Sequence, residues 1–214
     1  MKISSSKEKI LKKIREALSN PVPLPFPKSE GNHSVFQPQS EELEILFAEE
    51  FTKLMGKFAF CLNETDAQDQ IKALSVQKKW KHIYCVEKEL TTLLSGEGFP
   101  EINSSSLADC DVAVTSCNYL VARTGSIVMS SAQKSGRTVS AYSPIHICIA
   151  YTDQLVYDTR DALKGLKKKY GNNLPSFITF AAGPSRTEDI EKTLVIGVHG
   201  PKEVYLFLID RPSV

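Results

Sequence analysis

The sequence predicts an α/β domain carrying an N-terminal helical arm, and three observations support it. From residue 41 onward, apolar segments of helical period alternate with short strand-like runs. A proline-rich stretch separates these segments from a short basic helix. The longest apolar run, Val204-Tyr205-Leu206-Phe207-Leu208-Ile209, has the length of a strand and falls far short of the roughly 20 residues of a membrane helix. At 214 residues, with 42% apolar and 24% charged side chains, the chain can bury one sizeable core.

The elements follow in order. Ser4, Ser5 or Ser6 can cap a first helix on which Ile10, Leu11, Ile14 and Leu18 share a face. Six basic residues (Lys2, Lys7, Lys9, Lys12, Lys13, Arg15) oppose Glu8 and Glu16 there, as a solvated face or as a docking arm for an acidic partner. The alternating prolines of Pro21-Val22-Pro23-Leu24-Pro25-Phe26-Pro27 favour extended polyproline geometry and make a semi-rigid spacer. The arm is therefore residues 1–27 and the α/β domain residues 28–214. No apolar core and small-residue cleavage site follow the basic N-terminus, which argues against a secretory signal.

In the body, Leu43, Leu46, Phe47, Phe51 and Leu54 recur at helical intervals and predict a helix from Glu41 to Met55. Lys57 to Leu62 reads as a strand, Ala67 to Gln77 as a helix, and His82 to Val86 and Asp111 to Thr115 as buried strands. Gly125 to Met129 and Thr138 to Tyr142 have the shorter alternation of antiparallel strands. Ile145 to Ala150, Phe177 to Phe180, Leu194 to Val198 and Val204 to Ile209 complete the strands, with an amphipathic helix from Arg160 to Lys169.

Charge and cysteine usage exclude several roles. With 26 basic against 25 acidic residues, the chain has no electrostatic footprint for nucleic acid. Cys61, Cys85, Cys110, Cys117 and Cys148 are odd in number, contain no C-x-x-C pair and lie mostly in strand-like runs. They read as small buried hydrophobes in a reducing cytosol. The spacing also provides no iron-sulfur motif, so no cofactor is expected on this chain and any redox chemistry needs a partner.

Polar chemistry concentrates between Gly183 and Pro201. Gly183-Pro184 ends a strand, and Ser185 and Glu188 have the S-x-x-E spacing of a capping box, predicting a helix whose N-terminus Glu188, Asp189 and Glu191 complement. Arg186 is not required by such a cap and suits a carboxylate or phosphate beside exposed N–H groups. His199, within Gly197-Val198-His199-Gly200-Pro201, is exposed at the end of a strand, where α/β proteins place sites. His146 is the weaker histidine candidate, since Ile145-His146-Ile147-Cys148-Ile149 places it on one strand face. Thr124-Gly125-Ser126 and Gly136-Arg137 supply another wall, with Gly125 permitting close backbone approach and Arg137 neutralising an anion. No metal-ligand spacing in Glu188, Asp189, Glu191 and His199 is diagnostic, so no metal site is expected.

The arm with its proline linker, Thr124-Gly125-Ser126, Gly136-Arg137, Ser143-Pro144-Ile145-His146-Ile147, Gly183 to Glu191 and Gly197 to Pro201 together resemble the lactate utilization protein C family, the LUD domain, over essentially the whole chain. The resemblance implies a three-layer α/β fold with a mixed sheet, similar to the superfamily of sugar-phosphate isomerases, glucosamine-phosphate deaminases and CoA transferases. It also implies a cytoplasmic part in oxidising L-lactate to pyruvate beside separate partner proteins that hold iron-sulfur clusters. Ser185, Arg186, Thr187, Asp189 and His199 match the family pattern position by position. Arg123 departs from it, standing where members often have an acidic residue, which weakens independent catalysis. The expected site is Thr124, Gly125, Arg137, Ser185, Arg186, Thr187 and Asp189 around a small anionic ligand, with His199 as the catalytic base. The alternatives are a stand-alone enzyme acting on a phosphorylated sugar or CoA ester, and a non-catalytic interaction protein.

Overall fold

Strands that are apolar at successive positions have no solvent face, and a parallel sheet covered on both sides is the arrangement that buries them. The computed structural model has this arrangement and describes residues 5–19, 42–96, 98–103, 106–190 and 193–211. The chain divides into two units, residues 1–38 and 39–214. In the first, α1 (Ser5–Ser19) leaves Ile10, Leu11 and Ile14 exposed. The proline spacer, Ser4 and the Leu18 side chain lie outside the described residues.

The second unit runs α2 (Leu43–Lys53), β1 (Lys57–Cys61), α3 (Glu64–Lys78), β2 (His82–Tyr84), α4 (Lys88–Leu93), β3 (Glu101–Ile102), β4 (Val112–Thr115), β5 (Tyr119–Val121), β6 (Ser126–Ser130), α5 (Val139–Tyr142), β7 (Ile145–Tyr151) and β8 (Leu155–Val156). It continues through α6 (Thr159–Tyr170), β9 (Ile178–Ala181), β10 (Arg186–Ile190), β11 (Thr193–Ile196) and β12 (Glu203–Ile209). The main sheet has the order β1-β12-β7-β4-β2-β3, and every pairing in it is parallel.

Alternation within β7 and β12 separates the two cores. Ile147, Ile149, Tyr205 and Phe207 pack with Ala67 and Ile71 of α3 and Leu90 and Leu93 of α4. Cys148, Ala150, Leu206 and Leu208 pack on the other face with Phe47 and Phe51 of α2 and with Leu120, Ile127 and Met129. Those last three belong to a second sheet, β8-β5-β6-β9, in which β6 is antiparallel to both β5 and β9, as its alternation predicts. Helices, parallel sheet, and α2 with the second sheet thus form three layers, and Ala162 and Leu166 of α6 cover the outer face of the second sheet.

Two sequence expectations are corrected. Thr138 to Tyr142 is not a strand: the Thr138 carbonyl accepts from Ala141 and Tyr142 N–H at 3.0 Å, closing the single turn α5 before Pro144. The segment after Ser185 is not a capped helix but β10, paired antiparallel with β11. Thr187, Ile190, Thr193, Val195 and Ile196 are β-branched and favour strand, and this hairpin tendency outweighs a four-residue capping pattern. Arg123 is also accounted for: its Nε donates to Asp158 at 2.7 Å, and Asp158 caps α6 by accepting from Arg160 N–H.

Gly125 does meet a backbone closely, but the backbone is that of α2. At φ +56, a Cβ there would lie 2.5 Å from Phe51 N. Gly136 has a similar φ, +63, with nothing within 4 Å. Gly125→Ala should therefore lose about 2 kcal/mol or more in urea unfolding, and Gly136→Ala only about 1 kcal/mol. Equal losses would show that α2 does not press on residue 125.

Candidate functional site

The two glycine-bracketed motifs are joined by main-chain hydrogen bonds. Ser185 N–H donates to Pro201 O at 2.9 Å and Gly197 N–H to Ser185 O at 2.9 Å, while Lys202 N–H reaches Pro144 O at 2.8 Å. A Cβ on Gly200 would stand 3.0 Å from the Ser185 Cβ, so glycine lets the His199 loop close on Ser185. Both loops sit where β7 and β12 begin, at the paired residues Ile145 and Glu203.

A cavity of about 180 Å³ opens there, lined by Arg137, Ser140, His146, Thr179, Ser185 and His199 against an apolar wall that includes Met129, Phe177 and Val204. A neighbouring space of about 550 Å³ shares His199 and adds Lys202. Among the described residues lining either space there is no carboxylate. The acid closest along the chain, Glu203, is neutralised. Partial burial pushes its carboxyl up, but hydrogen bonds from Lys57, Tyr205 and Lys78 outweigh this and hold it at about 2. The cavity is thus electropositive at its rim, where Arg137 and His199 are exposed, and neutral at depth.

His146 is that depth. It is 1% exposed, its Nε2 lies 2.8 Å from Thr115 Oγ1, and burial lowers its pKa to about 4. The structure therefore gathers Arg137, Ser185 and His199 from the sequence candidates and adds the histidine ranked lower.

Other candidates lie apart from this cavity. Arg186 is exposed and Thr187 half-buried on β10, and neither lines it. Thr124 donates to Ser126 Oγ at 2.9 Å, in the tight turn whose Gly125 packs on α2. The side chains of Glu188 and Asp189, and the whole of Glu191, lie outside the described residues.

The opposite, C-terminal ends of the parallel strands hold a cleft of about 720 Å³ that the sequence did not reveal. Glu87, 8% exposed, accepts from Ser116 N–H at 3.1 Å and from the Ser116 hydroxyl, which Gln133 Nε2 also contacts at 3.2 Å. Tyr151 donates to Glu64 at 2.8 Å, and the Arg211 guanidinium lies 3.7 Å from its ring centroid. Burial, reinforced by Glu64, pushes Tyr151 up to about 12. Glu64, Glu87, Glu89 and Asp153 face this cleft against Arg211 alone, so it repels anions. Glu87 and Ser116 each follow closely on a predicted buried strand, and that position was the available signal. Among the described residues, no group of three or more His, Cys, Asp or Glu could hold a metal ion.

Comparison with known proteins places these residues in context. The LUD domain family model matches residues 100–209. Lactate utilization protein C of Halalkalibacterium halodurans is 38% identical over 104 residues, 47% of this chain and 45% of that protein. Lactate utilization protein C 1 of Bacillus mycoides is 30% identical over 136 residues, 58% of each. The chain spans about half the length of the curated relatives it matches. A duf162 family protein from Deinococcus radiodurans, known from its crystal structure, shares the fold with a TM-score of 0.57 at 17% identity, covering 78% of this chain and 96% of that one.

The buried histidine makes a sign-defined prediction. Its folded pKa of about 4 lies below the ordinary 6.5, so the unfolded chain binds more protons between these values. Stability is full above pH 6.5 and falls as pH drops toward 4, with a slope approaching about 1.4 kcal/mol per pH unit. The contribution of Glu203 is lost only below 4.5. Urea midpoints between about pH 6.5 and 5 should decline in the wild type and flatten in His146→Gln. An equal decline in both would assign the slope elsewhere.

Proposed function

We propose a function from one premise: the chain belongs to the LUD domain family. The protein serves as a subunit or accessory factor of a cytoplasmic system that oxidises L-lactate to pyruvate, and it binds a small monocarboxylate in the Arg137–His199 cavity. The name lactate utilization protein C on its relatives supports the system. The observation that carries the ligand is electrostatic, because the cavity combines a guanidinium, two imidazoles and three hydroxyls with no lining carboxylate among the described residues. Its volume of about 180 Å³ suits a short 2-hydroxy or 2-oxo acid and not an enclosed CoA ester.

Within this proposal Arg137 holds the carboxylate and His199 accepts the hydroxyl proton. Oxidation of L-lactate to pyruvate releases two electrons and two protons. The electrons leave to separate iron-sulfur partner proteins, in keeping with five dispersed, free and buried cysteines on this chain. The helix α1, with exposed Ile10, Leu11 and Ile14 among basic residues, offers those partners a docking element.

His199→Gln and Arg137→Ala should each impair growth of the native host on L-lactate, whereas Arg186→Ala should have little effect. Unimpaired growth in both of the first two variants would overturn the site. Capture of the tagged full chain from lactate-grown cells should co-purify iron-containing protein, and deletion of residues 1–27 should abolish that. An iron-free eluate from the full chain would count against the partnership.

A further inference from the structure

His146 lies in the middle of the main sheet, beside Ala113 on β4 and Val204 on β12. Imidazole is a costly group to place there unless both nitrogens are used. Nε2 has Thr115 Oγ1 at 2.8 Å, and Nδ1 has no hydrogen-bond partner among the described residues. Nor is Nδ1 one of the sealed, unpartnered side-chain atoms, which among the described residues are Asn118 Oδ1 and Ser130 Oγ. His146 lines the cavity of Arg137, Ser185 and His199.

Thr115 determines what this nitrogen offers. Its hydroxyl has two possible acceptors, His146 Nε2 at 2.8 Å and Met129 Sδ at 3.8 Å. A thioether is a weak acceptor and an unprotonated imidazole nitrogen a strong one, so the arrangement that places the hydroxyl proton in the stronger bond has Thr115 donating to Nε2. The ring proton then resides on Nδ1. The other titratable side chains lining the cavity, among the described residues, are Arg137 and His199. Neither is a carboxylate that could draw a second proton onto the ring.

We propose that His146 is a ligand-contacting residue of this cavity, presenting Nδ1–H to an acceptor oxygen of a small monocarboxylate, with Thr115 as the positioning residue that sets its tautomer. This rests on the proposed anion site and assigns its parts. Arg137 supplies charge at the rim, His199 is the group that takes a proton, and His146 is a fixed neutral donor at the inner end. A donor of that kind recognises an oxygen acceptor without changing its own charge, so binding through it stays constant across the neutral pH range.

Long-range proton–nitrogen NMR of the ¹⁵N-labelled full chain tests this directly, with the His146 signals among the four histidines identified by their absence in His146→Gln. The expected spectrum shows the Nδ1–H tautomer, unchanged between about pH 7.5 and 5.5, with its signals moving on addition of L-lactate or pyruvate. Thr115→Val should redistribute the tautomer and weaken carboxylate binding about tenfold. Thr115→Ser, which keeps the hydroxyl, should restore both. An Nε2–H tautomer in the wild type overturns the assignment. So does a carboxylate that shifts His199 while leaving His146 unmoved, although the anion site itself then survives. A spectrum in which no histidine responds to either acid overturns both the contact and the anion site.

Discussion

Both faces of the six-stranded parallel sheet are buried, and this burial confines the protein's polar chemistry to the ends of its strands. On β7 and β12 the alternation that sends Ile147 and Phe207 toward α3 sends Cys148 and Leu206 toward α2. A polar side chain within such a strand needs a partner on the next one. His146 finds Thr115 on β4, and this pair is where the sheet's interior meets the cavity at its edge. The cysteines follow the same constraint: burial pushes the Cys61 thiol to about 11 and raises Cys85, Cys110 and Cys148, so these behave as small apolar residues.

Charge then distinguishes the two ends. At the strand beginnings, Arg137, His199 and Lys202 border two neighbouring spaces, while Lys57 and Lys78 neutralise Glu203. At the strand ends, carboxylates outnumber the single guanidinium of Arg211. In many open α/β sheets the ligand binds beyond the carboxyl ends of the strands. Here the sign of the local charge is what favours the other end for the small anion proposed above, because position in a fold does not compensate for repulsion between like charges.

Much of the fold was legible because apolar period is a local property. Phe47 and Phe51 marked α2, and the continuous run from Val204 to Ile209 marked the most buried kind of strand. The hairpin β10–β11 was misread because Ser185 and Glu188 mimic a helix cap, while the evidence for a strand lies in pairing with residues eight to ten positions later, Thr187 with Val195 and Arg186 with Ile196. The site was partly legible. Ser185 and His199 stood out as residues of glycine-bracketed motifs, and Arg137 and Arg186 stood out together, since only tertiary structure reveals which arginine lines a space with the histidine. His146 looked ordinary because an alternating strand pattern does not disclose which face meets a cavity. Gly125 was read correctly as a close approach, although the neighbour is α2.

The most direct measurement is a crystal structure of the full chain grown with L-lactate. The account predicts a bound monocarboxylate with its oxygens on Arg137 and its inner end at His146 and His199. Lactate bound instead beside Glu87 and Arg211, at the far ends of the strands, would contradict the electrostatic assignment on which the proposed function rests.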